Sequence, residues 1–179
     1  MMSGEFGIFL NGSYGVGKSS TLEHLADLFA EAKLPFSLFD ADWFHRSWPP
    51  ASTDPQNVLT EADNIRAVWR NYRQTGPRTP IIAGVITQAD DLERYEQCFE
   101  LPLRIVHLTA SSDVAEHRLR GRYTPHQHRA LAWHLDDHQR LTRELHQFTS
   151  YDLVLDTDHS TPAEVATLVF EEFAPQLHG

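Results

Sequence analysis

The stretch that decides the fold is FGIFLNGSYGVGKSSTLEHLADLF, residues 6–29. Its first part is a short apolar run that predicts a buried strand, and its last part spaces apolar residues as a helix does. Between them, residues 12–19 read Gly-Ser-Tyr-Gly-Val-Gly-Lys-Ser and satisfy the pattern G-x-x-x-x-G-K-[ST]. A strand before this pattern and a helix after it are the context that a phosphate-binding loop (Walker A) requires.

The residues of this loop suit a nucleotide with magnesium. The glycines allow backbone N–H groups to turn toward phosphate oxygens, and the helix that starts near Lys18 adds the positive end of its dipole. Lys18 places a charge against the β- and γ-phosphates, and the hydroxyl of Ser19 is a suitable Mg²⁺ ligand. The predicted nucleotide-binding residues of the loop are Gly12, Ser13, Tyr14, Gly15, Val16, Gly17, Lys18, Ser19 and Ser20.

The bulk composition limits the classes of protein that the chain can represent. Its 179 residues favour a single domain. A net charge of −10 argues against a nucleic-acid partner, whose binding surface would be basic. The single cysteine, Cys98, is expected in a reducing cytoplasm. The segment MMSGEFGIFL has neither a basic start nor a long apolar run, so we expect no signal peptide and no membrane span. A monomer and a homodimer both remain open.

Strand-like and helix-like segments alternate along the whole chain. The strands read as nearly continuous apolar runs, which is typical of a parallel sheet covered on both faces. We therefore predict an α/β protein with a three-layer α/β/α arrangement and a five-stranded parallel sheet. In the helix predicted over residues 58–76, Thr60 is a plausible cap and Gly76 the stop. The predicted strands are FGIFLNG, LPFSLFDAD, PIIAGVIT, LRIVHLTA and YDLVLDT.

Two aspartates, Asp40 and Asp42, end the second predicted strand. Residues two apart on a strand point to the same side, and the carboxyl ends of parallel strands face the ligand crevice. Asp40 could then hold the metal shell, and Asp42 could orient or deprotonate an acceptor hydroxyl. The alternative is that the two aspartates only cap or form a turn that leads into the next loop. The third strand carries no carboxylate at its tip, which argues against a motor-type ATPase.

The chain resembles the small P-loop kinases with a nucleoside-monophosphate-kinase-like fold. These include shikimate and gluconate kinases, adenylylsulfate kinase, chloramphenicol phosphotransferase and tunicamycin-resistance proteins. The matching segments are NGSYGVGKSS, LFDADWFHR, HLTASSDVAEHRLRGR and YDLVLDTDHSTPAEV, which together span nearly the whole chain. It lacks the Gly-Gly-Gly that shikimate kinases carry at the tip of the third strand. The resemblance implies a P-loop NTPase fold with sheet order 2-3-1-4-5 and one kinase domain over residues 1–179.

The resemblance also implies roles for individual regions. Aspartates after the second strand serve substrate and metal in several of these families, and that position corresponds to Asp40 and Asp42. Arginines after the fourth strand begin a small helical lid, here about residues 119–149, and reach the adenine and the transferring phosphate. By this correspondence and their i, i+4 spacing, Arg118 and Arg122 are predicted to bind nucleotide and to act in catalysis. A solvated basic helix end is the alternative.

We expect the acceptor to bind over about residues 43–76. This region combines tryptophans with arginines, which suits a partly apolar acceptor or one that carries an anion. Arg66, Arg70 and Arg73 share a helical face that could either clamp an anion or be solvated. The predicted substrate residues are Asp42, Arg46, Arg66 and Arg70. Five histidines between positions 126 and 146 have no assigned role. His134 and His138 have a spacing that can chelate a metal, but no cysteine or HExxH pattern supports this, and a solvent-exposed helix face is the simpler explanation.

These observations favour an Mg²⁺-dependent kinase that transfers a phosphoryl group from ATP to a hydroxyl of a small molecule, such as a metabolite or antibiotic. GTP in place of ATP is not excluded by the residues. A nucleoside or nucleotide kinase is one alternative, and a nucleotide-binding regulatory ATPase module is another. The predicted catalytic residues are Lys18, Asp40, Asp42, Arg118 and Arg122, and the predicted metal ligands are Ser19 and Asp40.

Overall fold

The computed structural model describes residues 5–177, in which five strands alternate with six α-helices. The predicted domain limits of 1 and 179, and the start of the segment MMSGEFGIFL, lie outside the described residues. The strands are β1 (Gly7–Asn11), β2 (Phe36–Asp40), β3 (Thr79–Gly84), β4 (Leu103–Thr109) and β5 (Leu153–Asp156). The helices are α1 (Lys18–Glu31), α2 (Val58–Arg73), α3 (Ala89–Phe99), α4 (Ser112–Arg122), α5 (His128–Gln147) and α6 (Pro162–Leu177).

All five strands pair in parallel, in the order β2-β3-β1-β4-β5. This confirms the predicted sheet and its order. β1 lies at the centre, where Ile8 is level with Ile81 of β3 and with Arg104 of β4. Every residue of β1 is buried, as expected of a strand with helices on both faces. The carboxyl ends of β1, β2 and β3 therefore meet at one edge of the sheet.

The alternation of side chains along β1 builds two separate cores. Ile8 and Leu10 face a cluster formed with α1 and α6, which includes Leu25, Phe29 and Val169. Phe9 points to the opposite face. It packs there into a second cluster with Ile65 and Trp69 of α2 and Phe99 of α3. These two cores make the three-layer α/β/α arrangement that was predicted.

The start of α2 differs from the prediction. The helix begins at Val58, so Thr60 lies inside its first turn and the prediction that Thr60 caps it is wrong. The carboxylate of Asp54 accepts hydrogen bonds from the backbone N–H groups of Leu59 at 3.2 Å and Thr60 at 2.8 Å. It thereby satisfies the free donors that every helix start presents. The helix ends at Arg73, shortly before the predicted stop at Gly76.

The segment expected to form the lid consists of the end of α4, a 3₁₀ turn at Pro125–Gln127 and α5. This segment is helical, as expected, with one short turn and one long helix after the end of α4. Across residues 5–177, no helix is both long and apolar enough to span a membrane.

Candidate active site

The loop between β1 and α1 is fixed at its start by Asn11, a residue that the sequence analysis missed. Asn11 is fully buried. Its Oδ1 accepts from the backbone N–H of Gly12 at 3.0 Å and of Ile86 at 2.9 Å. Its Nδ2 donates to the carbonyl of Ile86 at 2.8 Å. The loop is thus attached to the segment that follows β3 before it turns toward its ligand.

Two of the loop glycines are required by close approach of other backbone. A Cβ atom on Gly12 would lie 2.5 Å from the carbonyl oxygen of Leu108, and one on Gly15 would lie 2.6 Å from that of Ala115. Gly15 also has φ of +79°, a region that residues with a side chain rarely adopt. The loop therefore packs tightly against β4 and α4 on one side, while a Cβ on Gly17 would meet nothing within 4 Å.

Lys18 is folded over its own loop. Its Nζ donates to the carbonyl oxygens of Gly12 at 2.6 Å and Ser13 at 2.9 Å. Burial lowers the pKa of Lys18 to about 8, although the carboxylates of Asp42 and Asp40 act in the opposite direction. The cation is thus held over the loop at the point where phosphate oxygens are expected.

The first turn of α1 meets the end of β2 at the predicted metal ligands. Ser19 Oγ donates to Asp40 Oδ2 at 2.7 Å, and the backbone N–H of Asp42 reaches Asp40 Oδ1 at 3.3 Å. A hydroxyl and a carboxylate oxygen are the hard oxygen ligands that Mg²⁺ prefers, usually one or two from protein with the rest from phosphates and water. The residues present therefore fit a magnesium nucleotide.

These groups surround a cavity of about 580 Å³. The loop forms its floor and Asp42 lines it from the β2 side. The structure thus brings together Lys18, Ser19, Asp42 and both predicted lid arginines. The cavity is lined by Ser13, Tyr14, Gly15, Val16, Gly17, Lys18, Ser19, Ser20, Thr21, Asp42, Arg118, Leu119, Arg122, Thr157, Ser160, Pro162 and Val165.

The two lid arginines differ in how firmly they are held. The guanidinium of Arg118 donates to the carbonyl and hydroxyl of Thr157 at 2.6 and 3.0 Å, and to the carbonyl of Gly15 at 3.4 Å. Thr157 Oγ1 also donates to the carbonyl of Val16 at 3.1 Å. The guanidinium of Arg122 lies 6.0 Å from the ring of Tyr123, which is a loose contact. Thr157 directly follows the last residue of β5, in a segment for which the sequence predicted no individual side-chain role.

The arginines predicted to bind the acceptor do not line this cavity. Arg66 pairs with Asp63 of the same helix at 2.6 Å. Arg70 lines a separate surface cavity of about 270 Å³ with Trp69 and Cys98. Arg46 is exposed and lies 4.7 Å from the ring of Trp43. The helical face of Arg66 and Arg70 therefore does not turn toward the loop.

A different group of side chains lies close enough to Asp42 for its charge to act on one of them, His45. His45 and Glu61 fall within the predicted acceptor region but were not named as site residues, and Tyr95 lies outside it. Glu61, in the first turn of α2, accepts from the hydroxyl of Tyr95 at 2.5 Å and lies 2.9 Å from His45 Nδ1. The hydrogen bond to Glu61 raises the pKa of His45, and the charge of Asp42 adds to the effect. The three residues come from a loop and two helices. Their positions, 45, 61 and 95, follow no periodic pattern that could have revealed them.

Comparison with known proteins agrees with this geometry. A family described as chloramphenicol phosphotransferase-like protein matches residues 7–174. No curated protein sequence matches the chain significantly. The tunicamycin resistance protein of Deinococcus radiodurans is 19% identical, with a TM-score of 0.61, and covers 94% of this chain and 95% of its own.

Two further solved structures are similar over the whole chain. A sugar kinase from Janibacter sp. HTCC2649 is 18% identical, with a TM-score of 0.60 and coverage of 97% of this chain and 98% of its own. The shikimate kinase of Acinetobacter baumannii is 19% identical, with a TM-score of 0.53 and coverage of 94% and 93%. At such identities the structural likeness establishes the P-loop kinase fold alone.

Proposed function

The chain belongs to the chloramphenicol phosphotransferase-like family, a family of kinase-like phosphotransferases, and we propose that it transfers the γ-phosphoryl group of ATP to a hydroxyl of a small molecule. One observation carries the proposal. The carboxylate of Asp42 lines the same cavity as the phosphate-binding loop and the lid arginines. An acceptor hydroxyl against Asp42 would then face the end of a triphosphate seated on the loop.

The loop supports the nucleotide half of this reaction. Its N–H groups and Lys18 would bind the phosphates, while Ser19 and Asp40 would hold Mg²⁺ through oxygen atoms. When bound, the magnesium nucleotide supplies the phosphoryl group and neutralises part of its charge. Lys18 must leave the carbonyls of Gly12 and Ser13 to contact a phosphate. Burial lowers its pKa, whereas the carboxylates of Asp42 and Asp40 favour its charged form.

The position of Asp42 supports the part of the proposed reaction that involves the acceptor hydroxyl. Its carboxylate can accept the proton of an acceptor hydroxyl as the new bond to phosphorus forms. The charge of Asp42 acts on Lys18, Tyr14 and His45, so it lies among the loop and the acceptor-side residues. The hydrogen bond from its backbone to Asp40 fixes the turn that presents it.

The two lid arginines are assigned different roles in the reaction. Arg118 is anchored by Thr157 and Gly15, so we assign it to holding the base side of the nucleotide. Arg122 has no such anchor among the contacts of the described residues and is free to move toward the transferring phosphate. A cation there stabilises the charge that develops in the transition state.

The surface beyond Asp42 suits an acceptor with both polar and apolar parts. Trp43 is 70% exposed and Trp48 is 88% exposed, which is unusual for such large side chains. His45 lies between them in the chain and is held by Glu61. A hydroxyl-bearing metabolite or antibiotic with a hydrophobic face fits this combination.

The test is transfer of labelled phosphate from ATP to a panel of hydroxylated antibiotics, sugars, nucleosides and nucleoside monophosphates. We expect labelling of an antibiotic or sugar, and a loss of about 100-fold or more in Asp42→Asn. Asp90→Asn, at an exposed carboxylate in the first turn of α3, is the matched control. Unchanged transfer in Asp42→Asn would remove Asp42 from the reaction. Labelling of nucleoside monophosphates alone would indicate a nucleotide kinase, and release of phosphate to water alone a regulatory ATPase.

A further inference from the structure

One face of α5 packs directly on the phosphate-binding loop. Ser13 Oγ lies 3.0 Å from His138 Nδ1, and the hydroxyl of Tyr14 donates to Asp137 Oδ2 at 3.3 Å. The ring of Tyr14 also makes T-shaped contacts with Trp133 and His134, at centroid distances of 5.8 and 4.7 Å. Positions 133, 134, 137 and 138 share a helical face because residues four apart are neighbours on a helix.

We propose that His138 and Asp137 are positioning residues for the nucleotide: they hold the side chains of Ser13 and Tyr14 and so fix the direction in which the loop N–H groups point. The proposal rests on the nucleotide-binding half of the proposed function. It assigns a role to part of the histidine-rich segment that composition and spacing left unexplained.

Burial makes the contact between Ser13 and His138 more than incidental packing. Ser13 is 4% exposed and His138 is 2% exposed. A hydroxyl and an imidazole removed from water destabilise the fold unless they are hydrogen-bonded. Apolar side chains could fill the same space, but they would not fix an orientation. A directional polar pair between a loop and a lid helix therefore indicates that the loop geometry matters.

The loop is held by side chains from several elements, among them Arg118 of α4, which donates to the carbonyl of Gly15. Asn11 fixes its start to the residue after β3, and Thr157 fixes the carbonyl of Val16. The carbonyls of Gly12 and Ser13 are occupied by Lys18. Within residues 5–177, the side chains of Ser13 and Tyr14 make hydrogen bonds between the middle of the loop and α5. A loop held in this way is preorganised, so less conformational freedom is lost when phosphate binds.

The same helix face also reaches the end of α4. His134, which touches Tyr14, lies 3.0 Å through its Nδ1 from the hydroxyl of Tyr123. Tyr123 directly follows Arg122, whose guanidinium lies near its ring. The helix that packs on the loop thus also contacts Tyr123, the residue next to Arg122.

The protonation of His138 is consistent with this role. Burial lowers the pKa of His138, the charge of Lys18 lowers it further, and a hydrogen bond to the backbone of Tyr14 together with Glu116 opposes this. His138 therefore stays neutral near pH 7 and adds no second positive charge under the loop. A neutral imidazole nitrogen can also accept the proton of the Ser13 hydroxyl.

The test measures the affinity of magnesium ADP by calorimetry, beside thermal unfolding of the nucleotide-free protein. We expect His138→Leu to weaken binding roughly three- to tenfold, as loss of a buried hydrogen bond would. His138→Asn, whose amide can replace Nδ1, should restore most of the affinity. Ser13→Ala should weaken binding similarly, and the double variant Ser13→Ala/His138→Leu should bind no more weakly than either single one, because one shared contact is lost.

Two more variants test the proposal without depending on whether His138→Leu folds. Tyr14→Phe removes only the hydroxyl that reaches Asp137, and we expect a roughly twofold to fivefold loss even if His138→Leu fails to fold. His128→Leu, at an exposed histidine in the first turn of the same helix, should bind as the wild type does. Wild-type affinity in Tyr14→Phe and in folded His138→Leu, with only the melting temperature reduced, would overturn the proposal. A wild-type chain that binds neither magnesium ADP nor magnesium GDP would overturn the proposed function as well.

Discussion

Ser19 Oγ donates a 2.7 Å hydrogen bond to Asp40 Oδ2, which joins the first turn of α1 to the last residue of β2. The two residues are 21 positions apart, and β3 lies between β1 and β2 in the sheet. Their approach indicates where a magnesium ion would be held, because a hydroxyl and a carboxylate oxygen this close could share one cation.

The first prediction concerns this pair. For each protein, the quantity of interest is the ratio of the ATP affinity with Mg²⁺ to that without it. We expect this ratio to be roughly tenfold smaller in Asp40→Asn than in the wild type, because the amide is uncharged and binds the metal more weakly than a carboxylate does. Calorimetric titrations with Mg²⁺ and with EDTA give the ratio of affinities for each protein. Asp27→Asn, at an exposed position on α1, is the control. An equal Mg²⁺ effect in Asp40→Asn and the wild type would exclude Asp40 as a ligand.

The second prediction concerns the buried charge of Lys18, whose pKa is lowered to about 8. In the unfolded chain the lysine keeps its proton up to about pH 10.4, so between these values the unfolded state binds more protons than the folded one. The free energy of unfolding of the wild type should therefore rise relative to Lys18→Met, by about 2 kcal/mol, from pH 7 to pH 10.

Urea denaturation of both proteins across this pH range measures the difference. We expect Lys18→Met to bind ATP poorly at every pH, since the charge against the phosphates is gone. A difference in unfolding free energy that stays constant with pH would show that Lys18 is not desolvated in the folded chain.

The third prediction separates the two lid arginines. Arg118→Gln breaks the contacts with Thr157 and Gly15, so it should weaken ATP binding roughly tenfold. Arg122→Gln should leave the dissociation constant within about threefold and lower the rate of phosphoryl release or transfer by roughly 100-fold, because its charge acts in the transition state. Binding titrations and single-turnover rates distinguish the two effects. Arg120→Gln, exposed and paired with Glu116, is the control, and indistinguishable profiles for Arg118 and Arg122 would refute the division.

The fourth prediction concerns pH and the pair of His45 and Glu61. The hydrogen bond to Glu61 raises the pKa of His45, so the pair stabilises the fold fully below the ordinary histidine pKa of about 6.5 and less as pH rises through the raised value. Glu61→Gln should therefore lose more stability at pH 6 than at pH 9. The additional loss is only about 0.5 kcal/mol, because the His45 side chain is 40% exposed and solvent screens the pair.

Chemical denaturation at the two pH values tests this, with Glu93→Gln on α3 as an exposed control. The carbonyl oxygen of the glutamine can still accept the hydrogen bond from Tyr95 at both pH values, so this contact affects both measurements equally. A larger loss at pH 9 would reverse the sign and contradict the assigned charge of His45.

Residues 12–19 determined the phosphate loop by themselves, because an entire binding element lies in eight consecutive residues with a strand before it and a helix after it. Asp40 was predictable at the carboxyl end of β2, but Asp42 lies beyond the strand, in a 3₁₀ turn over Ala41–Trp43, so alternation along a strand does not account for its position. The five strands were also predictable from their continuous apolar runs. Only the resemblance to known kinases supplied their order, because periodicity says nothing about which strand lies beside which.

The tertiary structure alone decided which distant side chains meet. Ser13 and His138 are 125 positions apart, and Val16 and Thr157 are 141 apart. No local pattern links such pairs, because their contact depends on the angle at which a helix packs on the sheet. For the same reason the spacing of Arg66 and Arg70 showed that they share a face but not where it points. Packing turned that face away from the loop and brought His45, Glu61 and Tyr95 together beside Asp42 instead.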